Sequence, residues 1–249
     1  MEGRQAVREL LAGQRAVQQV LLAEGMDEAP ILDEIEALAS RRRIRVAHVS
    51  RRRIDSLARS EAPQGVVALA RPVEAVPLGS LCEPGPRSEI PFLLVVDGIS
   101  DPHNLGSLLR SAECAGVTGV VLPRHRAVHL SPTVTKIAAG AVEHLPMALV
   151  AGVPSALERL SSDGVWTVGL VADADESVYG LSFTDAPVAL VVGSEGTGLS
   201  KLAERRCDVL ASIPQHGRIA SLNVAVAGAV ACFEIAHRRT LSGPNPPAR

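Results

Sequence analysis

The chain has 249 residues, of which 47% are hydrophobic and 21% charged, with a formal net charge of −2. That balance describes a folded globular protein of one large or two smaller domains and excludes a disordered chain. No apolar run reaches membrane-spanning length and no basic-then-apolar segment opens the chain, so a cytoplasmic protein without membrane contact is expected.

Residues 2–12 read as a short helix ending near Gly13, and residues 16–23 (AVQQVLLA) as an apolar strand. Residues 29–40 form an amphipathic helix with Ile31, Leu32, Ile35 and Leu38 on one face. A strand (44–49), a helix (50–60) and a strand (65–70, GVVALA) follow. The alternation predicts a small α/β sandwich over residues 1–72. Charge is uneven within it: residues 24–36 carry six acids and no base, while residues 40–59 carry eight arginines against Asp55. A solvated helix face is the common fate of a charge run. Two triplets, Arg41, Arg42, Arg43 and Arg51, Arg52, Arg53, with no lysine among them, point instead to phosphate contact, that is, to RNA binding. Aromatic residues are only 2% of the chain, so stacking platforms for bases are disfavoured. Five prolines between residues 72 and 91 mark residues 73–90 as a linker.

A second domain is expected over residues 91–240. Residues 92–96 (FLLVV) are an unbroken apolar run, as in a strand covered on both faces. A polar loop (97–106) and a helix from about 107 to 115 follow, placing Arg110 in the first helical turn. Then come a strand (119–122), a helix (132–140), a strand (144–150), a helix (154–161) and a strand (166–172). Repeated strand–helix units predict a parallel sheet with helices on both faces. Residues 241–249 are proline-rich and expected to be a disordered tail. The four cysteines (Cys82, Cys114, Cys207, Cys232) show no Cys-x-x-Cys spacing, as in reduced proteins, and no metal is expected.

Residues 188–231 organise the rest. An apolar run (188–192) stops at Gly193, with Gly196 and Gly198 close behind; a second run (209–213) stops at Pro214. Two strand ends thus deliver loops to one sheet edge, where open α/β sheets bind ligands. The glycines permit close backbone approach and positive φ. Glu195 is a carboxylate within that turn. The second loop ends at Ser221, a good N-cap, with Asn223 in the first helical turn. The small-residue helix over 224–236 is expected to be buried or at an interface. By itself Gly-x-x-Gly-x-Gly is a weak signal: its spacing departs from the dinucleotide fingerprint, and no Lys-Ser/Thr pair follows in P-loop register.

Three motifs together are more specific: DGISDPHNLGSLLRSAECAG (97–116), VVGSEGTGLS (191–200) and IPQHGRIASLNVAVAGAVACFE (213–234). On these the chain resembles the SpoU/TrmH family of RNA ribose 2′-O-methyltransferases, within the SPOUT superfamily. The resemblance covers residues 90–238; residues 1–72, closing on PQGVVALA (63–70), resemble more weakly that family's substrate-binding domain. It implies a parallel-sheet methyltransferase domain with a C-terminal trefoil knot, S-adenosyl-L-methionine as methyl donor, and a homodimer. The family pattern makes Asn104, Arg110, Glu195, Ser221 and Asn223 catalytic and lines the donor site with Gly193, Ile213 and Leu222. A guanidinium is always protonated, so Arg110 would stabilise a developing alkoxide and a neighbouring phosphate rather than take a proton. His103 and His216 lie in the same loops and are read as peripheral. The short domain before the catalytic one resembles the branch that methylates a guanosine of 23S rRNA. A tRNA enzyme, an antibiotic-resistance rRNA enzyme or a non-catalytic RNA-binding protein of the same fold are the alternatives.

Overall fold

The computed structural model describes residues 1–60, 63–85, 89–125, 130–182, 186–219 and 221–242. In chain order the first elements are α1 (Arg4–Ala12), β1 (Val17–Ala23), α2 (Pro30–Arg41), β2 (Arg45–Val49), α3 (Arg51–Leu57) and β3 (Val66–Ala70). There follow β4 (Phe92–Val96), α4 (Pro102–Cys114), β5 (Gly119–Pro123), α5 (Pro132–Ile137), β6 (Met147–Val150), α6 (Val153–Ser162) and β7 (Trp166–Leu170). The last are β8 (Glu176–Ser177), β9 (Val188–Val192), α7 (Lys201–Glu204), β10 (Val209–Ser212) and α8 (Val224–Ser242). The described residues divide into two compact units: residues 1–74 with 130–144, and the remainder.

The first unit is built on a three-stranded sheet in the order β2-β1-β3, with β1 parallel to β2 and antiparallel to β3. Successive residues of a strand point to opposite faces. Val20 and Leu22 therefore join Val7, Leu10, Leu11, Ile35 and Ala39 on the side of α1 and α2, while Leu21 and Ala23 meet Ile54 of α3 on the other. Both faces of β1 are covered, which is why its second half reads as continuous apolar sequence. Segment 130–144, expected in the second domain, packs within this unit instead. Glu143 is 3% exposed at its side chain and paired at 2.5 Å with Arg15, and His144 Nε2 lies 3.0 Å from Glu9. Burial pushes the Glu143 carboxyl up, and Arg15 opposes that shift.

The second unit is a seven-stranded sheet in the order β6-β5-β4-β9-β7-β10-β8, with every neighbouring pair parallel. β4, β5 and β9 are buried along their whole length, as strands covered on both faces must be. Leu93, Val95, Ala189 and Val191 pack with α6 and α7 on one face. On the other face α4 and α8 lie against each other. Gly228 lets them close: a Cβ there would stand 2.5 Å from Leu108 Cδ1.

Three boundaries differ from expectation. α4 begins at Pro102, five residues early, because Asp101 caps it: its carboxylate accepts from His103 N at 2.9 Å, and proline occupies the first helical position. Arg110 is consequently the ninth residue of a 13-residue helix and not in its first turn. α8 runs on to Ser242, so residues 241–242 are helical; residues 243–249 of the expected tail lie outside the described residues. Within the stretch expected as linker, Val76 N donates to Met147 O and Leu81 is buried against Gly119 of β5. Residues 75–82 therefore belong to the second unit's core.

Candidate active site

The carboxyl ends of β4, β7, β9 and β10 meet at one edge of the sheet. The glycine turn after β9 is closed by its own backbone: Ser194 and Gly198 exchange hydrogen bonds of 2.9 and 3.1 Å, and Ser194 Oγ lies 2.5 Å from Thr197 Oγ1. Gly196 and Gly198 take φ of 81° and 67°, a region costly for other residues. Gly193 is needed for a different reason. A Cβ there would lie 2.1 Å from the Gly198 carbonyl carbon, so the missing side chain lets the turn fold back on itself rather than leaving room for a ligand. Asp97, at the end of β4, fixes the far side of the turn: its Oδ2 accepts from Ser200 N at 2.8 Å, and its own N–H donates to Val192 O.

A chain of side-chain hydrogen bonds joins the three loops. Glu195 Oε1 accepts from Asn104 Nδ2 at 2.9 Å, and Asn104 Oδ1 accepts from Asn223 Nδ2 at 2.9 Å. Asn223 Oδ1 in turn accepts from Ala225 N at 2.9 Å and Val226 N at 3.3 Å. The amide orientations follow from chemistry alone, because a carboxylate only accepts and a helix N-terminus only donates. Asn223 is thus the N-cap of α8, the role expected of Ser221, which is exposed and without a hydrogen bond among the described residues. Glu195 also faces Ser100 N at 3.4 Å. Neither Glu195 nor Asn104 bonds Arg110, which either could have positioned.

Beside this relay lies a cavity of about 330 Å³. Gly193, Glu195, Ile213, Ser221, Leu222 and Asn223 line it, together with the end of β7 (Leu170) and Gln215. The structure therefore brings together seven of the eight residues expected at the site: Asn104 through the relay and six in the cavity wall. Arg110 is the exception. It is exposed on α4, outside the cavity lining and without a hydrogen bond or ion pair among the described residues. Asp97, Asp101, Ser100 and the end of β7 were missed. The Asp-Pro pair at 101–102 is a readable helix start; the part played by Leu170 leaves no mark in sequence. Burial and then Asp208 and Asp97 push the Cys207 thiol up to about 12, which disfavours its thiolate.

The slot suits an adenosyl methyl donor on this structure's own terms. It is apolar along Leu170, Ile213 and Leu222, and it is bounded by a turn in which any side chain at Gly193 would strike backbone. Its volume lies at the lower end of the roughly 300–1,000 Å³ of small-molecule sites.

On the first unit, Arg41, Arg43, Arg51, Arg52 and Arg53 are exposed. Arg42 differs: it is half-buried and its guanidinium is engaged within the fold. Its guanidinium donates to the carbonyls of Leu10, Leu11, Gly13 and Arg15 at 3.0, 3.2, 2.9 and 2.7 Å, closing the C-terminus of α1, which has no basic residue of its own in its last turn. Arg43 takes φ 55° and ends α2, with Ile44 N donating to Ala39 O and Arg43 N to Ser40 O, a position glycine usually fills. Arg51, Arg52 and Arg53 open α3, where the helix dipole disfavours cations and no acid offsets them. Among the described residues none of the three side chains has a hydrogen bond or ion pair.

A parallel sheet whose ligand slot opens at the carboxyl ends of its inner strands, with a polar relay at its lip, defines an α/β enzyme built to hold a small cofactor beside a second substrate. The comparisons give the particular kind. The SpoU rRNA Methylase family model matches residues 91–233, and a model described as RNA 2′-O ribose methyltransferase substrate binding matches residues 1–76. The chain belongs to the SpoU rRNA methylase family. It is 41% identical over 227 residues to the 23S rRNA (guanosine-2′-O-)-methyltransferase RlmB of Pseudomonas aeruginosa, covering 91% of this chain and 90% of that one. It is 36% identical over 242 residues to a Bacillus subtilis protein provisionally named a TrmH family tRNA/rRNA methyltransferase, covering 97% and 96%. The crystal structure of an AdoMet-bound rRNA methyltransferase from Sinorhizobium meliloti superposes with a TM-score of 0.78 at 26% identity, over 95% of this chain and 86% of that one. Among the described residues, no helix is long and apolar enough to cross a membrane.

Proposed function

We propose that this protein transfers a methyl group from S-adenosyl-L-methionine to a ribose 2′-hydroxyl of RNA, in particular of a guanosine in 23S rRNA. The observation that carries this reading is the Asn223–Asn104–Glu195 relay, which ties the three family motifs to the rim of a donor-sized slot. The 41% identity to an RlmB over nine tenths of the chain supports the rRNA substrate.

When bound, the donor supplies an electrophilic methyl carbon on a sulfonium. The glycine turn, Ile213 and Leu222 would hold it. Asn104 and Asn223 keep Glu195 fixed, and Ser221 is left free at the rim to meet the nucleotide. Arg110 would stabilise the negative charge that develops on the ribose oxygen as its proton passes to solvent water; attack on the methyl carbon would then break the carbon–sulfur bond and release the neutral thioether.

Arg110 is exposed and absent from its own cavity wall, and this supports action at the site of a second copy of the chain. α8 presents Val226, Phe233 and Leu241 at 49%, 49% and 73% exposure, spaced seven and eight residues apart along one side, as a two-fold interface would need. The reading thus includes a homodimer. It also includes a C-terminal trefoil knot, supported by the sheet order: β9 lies between β4 and β7, and β10 between β7 and β8, so late chain is laid between strands already formed. A cytoplasmic location completes it, in keeping with an rRNA substrate.

Mapping 2′-O-methyl positions in rRNA and tRNA from cells lacking the protein tests the substrate. Loss of a single ribose-methylated guanosine in 23S rRNA is expected. Loss confined to tRNA would replace that substrate, and an unchanged map would remove the catalytic reading.

A further inference from the structure

The first unit carries a concavity of about 300 Å³ lined by Arg4, Gly25, Met26, Asp27, Arg51 and Gln64. Four separate parts of the chain build it: the start of α1, the turn after β1, the start of α3 and the turn before β3. Its rim is held in unusual backbone. Gln64 takes φ 55°, a left-handed conformation that side chains disfavour, between Gly25 and Gly65 turns at φ 69° and 74°. The strained residue has a task. Gln64 Oε1 accepts from Arg4 N at 3.0 Å and its carbonyl accepts from Arg4 Nε at 3.3 Å, which aims the guanidinium and leaves both η nitrogens without partners among the described residues. A Cβ at Gly65 would lie 2.3 Å from Met26 Sδ, so glycine there lets the thioether pack as the apolar part of the wall.

The polar groups of this pocket do not satisfy one another. Arg51 has no hydrogen bond or ion pair among the described residues, nor has Asp27, although both line the same space. Arg42, by contrast, is already engaged by four carbonyls. Two forked cations beside one acceptor-only carboxylate and one thioether suit a ligand that is anionic at one end, donates hydrogen bonds at the other, and has an apolar face between. A nucleotide of RNA is such a ligand: guanidinium takes the phosphate, carboxylate takes a ribose hydroxyl or base N–H, and thioether takes the base face. Duplex bases are stacked out of reach of such a pocket, so the nucleotide must come from a loop, bulge or end.

We propose that this pocket binds one unstacked nucleotide of the substrate RNA. The proposal rests on the reading that the protein acts on RNA. It is tested with the full chain by fluorescence anisotropy on a single-stranded RNA and on a blunt duplex, at several salt concentrations. Competition by a nucleoside 5′-monophosphate and by orthophosphate is measured alongside, with donor affinity and melting temperature as checks on folding. Arg51→Ala, whose side chain has no partner to lose, and Arg4→Ala/Arg51→Ala should weaken single-strand binding, the double variant by about tenfold or more. The salt slope should drop by roughly 0.7 for each phosphate no longer neutralised. Arg205→Ala, an exposed arginine of the other unit, should change neither. Asp27→Asn should weaken competition by the nucleotide and leave or strengthen that by orthophosphate. Unchanged single-strand affinity in Arg51→Ala and in the double variant would overturn the proposal. Equal competition by orthophosphate and nucleotide would overturn it too, leaving an anion subsite only. A wild-type protein that binds donor but no RNA would remove the functional reading and the pocket with it.

Discussion

At the ligand edge of the parallel sheet, Asn104, Glu195 and Asn223 hold one another at 2.9 Å; on the three-stranded unit, Arg41, Arg43, Arg51, Arg52 and Arg53 face solvent without partners among the described residues. The two regions solve different recognition problems. A small cofactor must be met in one orientation, so the groups around it are fixed before it arrives, and their dipoles need no reorganisation. A polyanion is met in many registers, and much of its affinity comes from released counterions, so unpaired charge on an accessible face suffices. Arg42 and Arg110 cross this division. Arg42 sits in the basic stretch yet holds the fold together, and Arg110 sits beside the fixed edge yet is unpaired.

Removing Arg110 is the largest expected lesion. Arg110→Ala should lower turnover by about 10²–10³-fold, as loss of one oxyanion donor does elsewhere, while donor affinity by calorimetry stays near wild type. A comparable loss in donor affinity would place Arg110 in the fixed edge after all. Next comes Gly193→Ala. Because the added Cβ meets Gly198 backbone at 2.1 Å, the turn must shift, and donor affinity should fall by roughly ten- to a hundredfold, with about 1–3 kcal/mol lost from unfolding free energy. Ordinary affinity in that variant would show that the turn is not part of the donor site.

Arg42→Ala should destabilise the protein by about 1–3 kcal/mol in urea unfolding, since a charged donor to four carbonyls is removed, whereas Arg41→Ala should leave stability within about 0.5 kcal/mol. Equal effects would deny the division within the triplet. The smallest change is expected from replacing Arg52 and Arg53 together with Ala. RNA affinity should weaken and its log–log salt slope should drop by about 0.7–0.9 for each phosphate that goes unneutralised, with turnover at saturating RNA unchanged. An unaltered slope would make these side chains a solvated face.

Much of this was readable from residues. FLLVV and VALVV announce strands buried on both faces, and the alternation of elements announces the parallel sheet, because both follow from local periodicity. Gly193, Glu195, Ser221 and Asn223 were legible from the loops that follow the last two apolar runs, whereas Asn104, Ile213 and Leu222 were legible only by resemblance, since the partners of Asn104 lie 91 and 119 positions away. What sequence hid was assignment within a run of like residues. Nothing local separates Arg42 from Arg41 and Arg43; only the turn at Arg43 swings one guanidinium toward the end of α1. The early start of α4 was visible in Asp101-Pro102, and reading the Asn104 loop as irregular concealed it and moved Arg110 into the wrong turn. The packing of segment 130–144 with the first unit rests on Arg15–Glu143 and Glu9–His144, pairs more than a hundred residues apart that no periodicity reports.

The most direct test of the central claim is methyl transfer from isotopically labelled S-adenosyl-L-methionine to a 23S rRNA transcript, followed by alkaline hydrolysis. A 2′-O-methyl group blocks cleavage at its own nucleotide, so the label should appear in one alkali-resistant dinucleotide containing guanosine, and should accumulate about 10²–10³-fold more slowly with Arg110→Ala. Label released in a single nucleotide would mean base methylation, and no label in any RNA would mean that the relay and slot serve something other than transfer to ribose; either result would contradict the account.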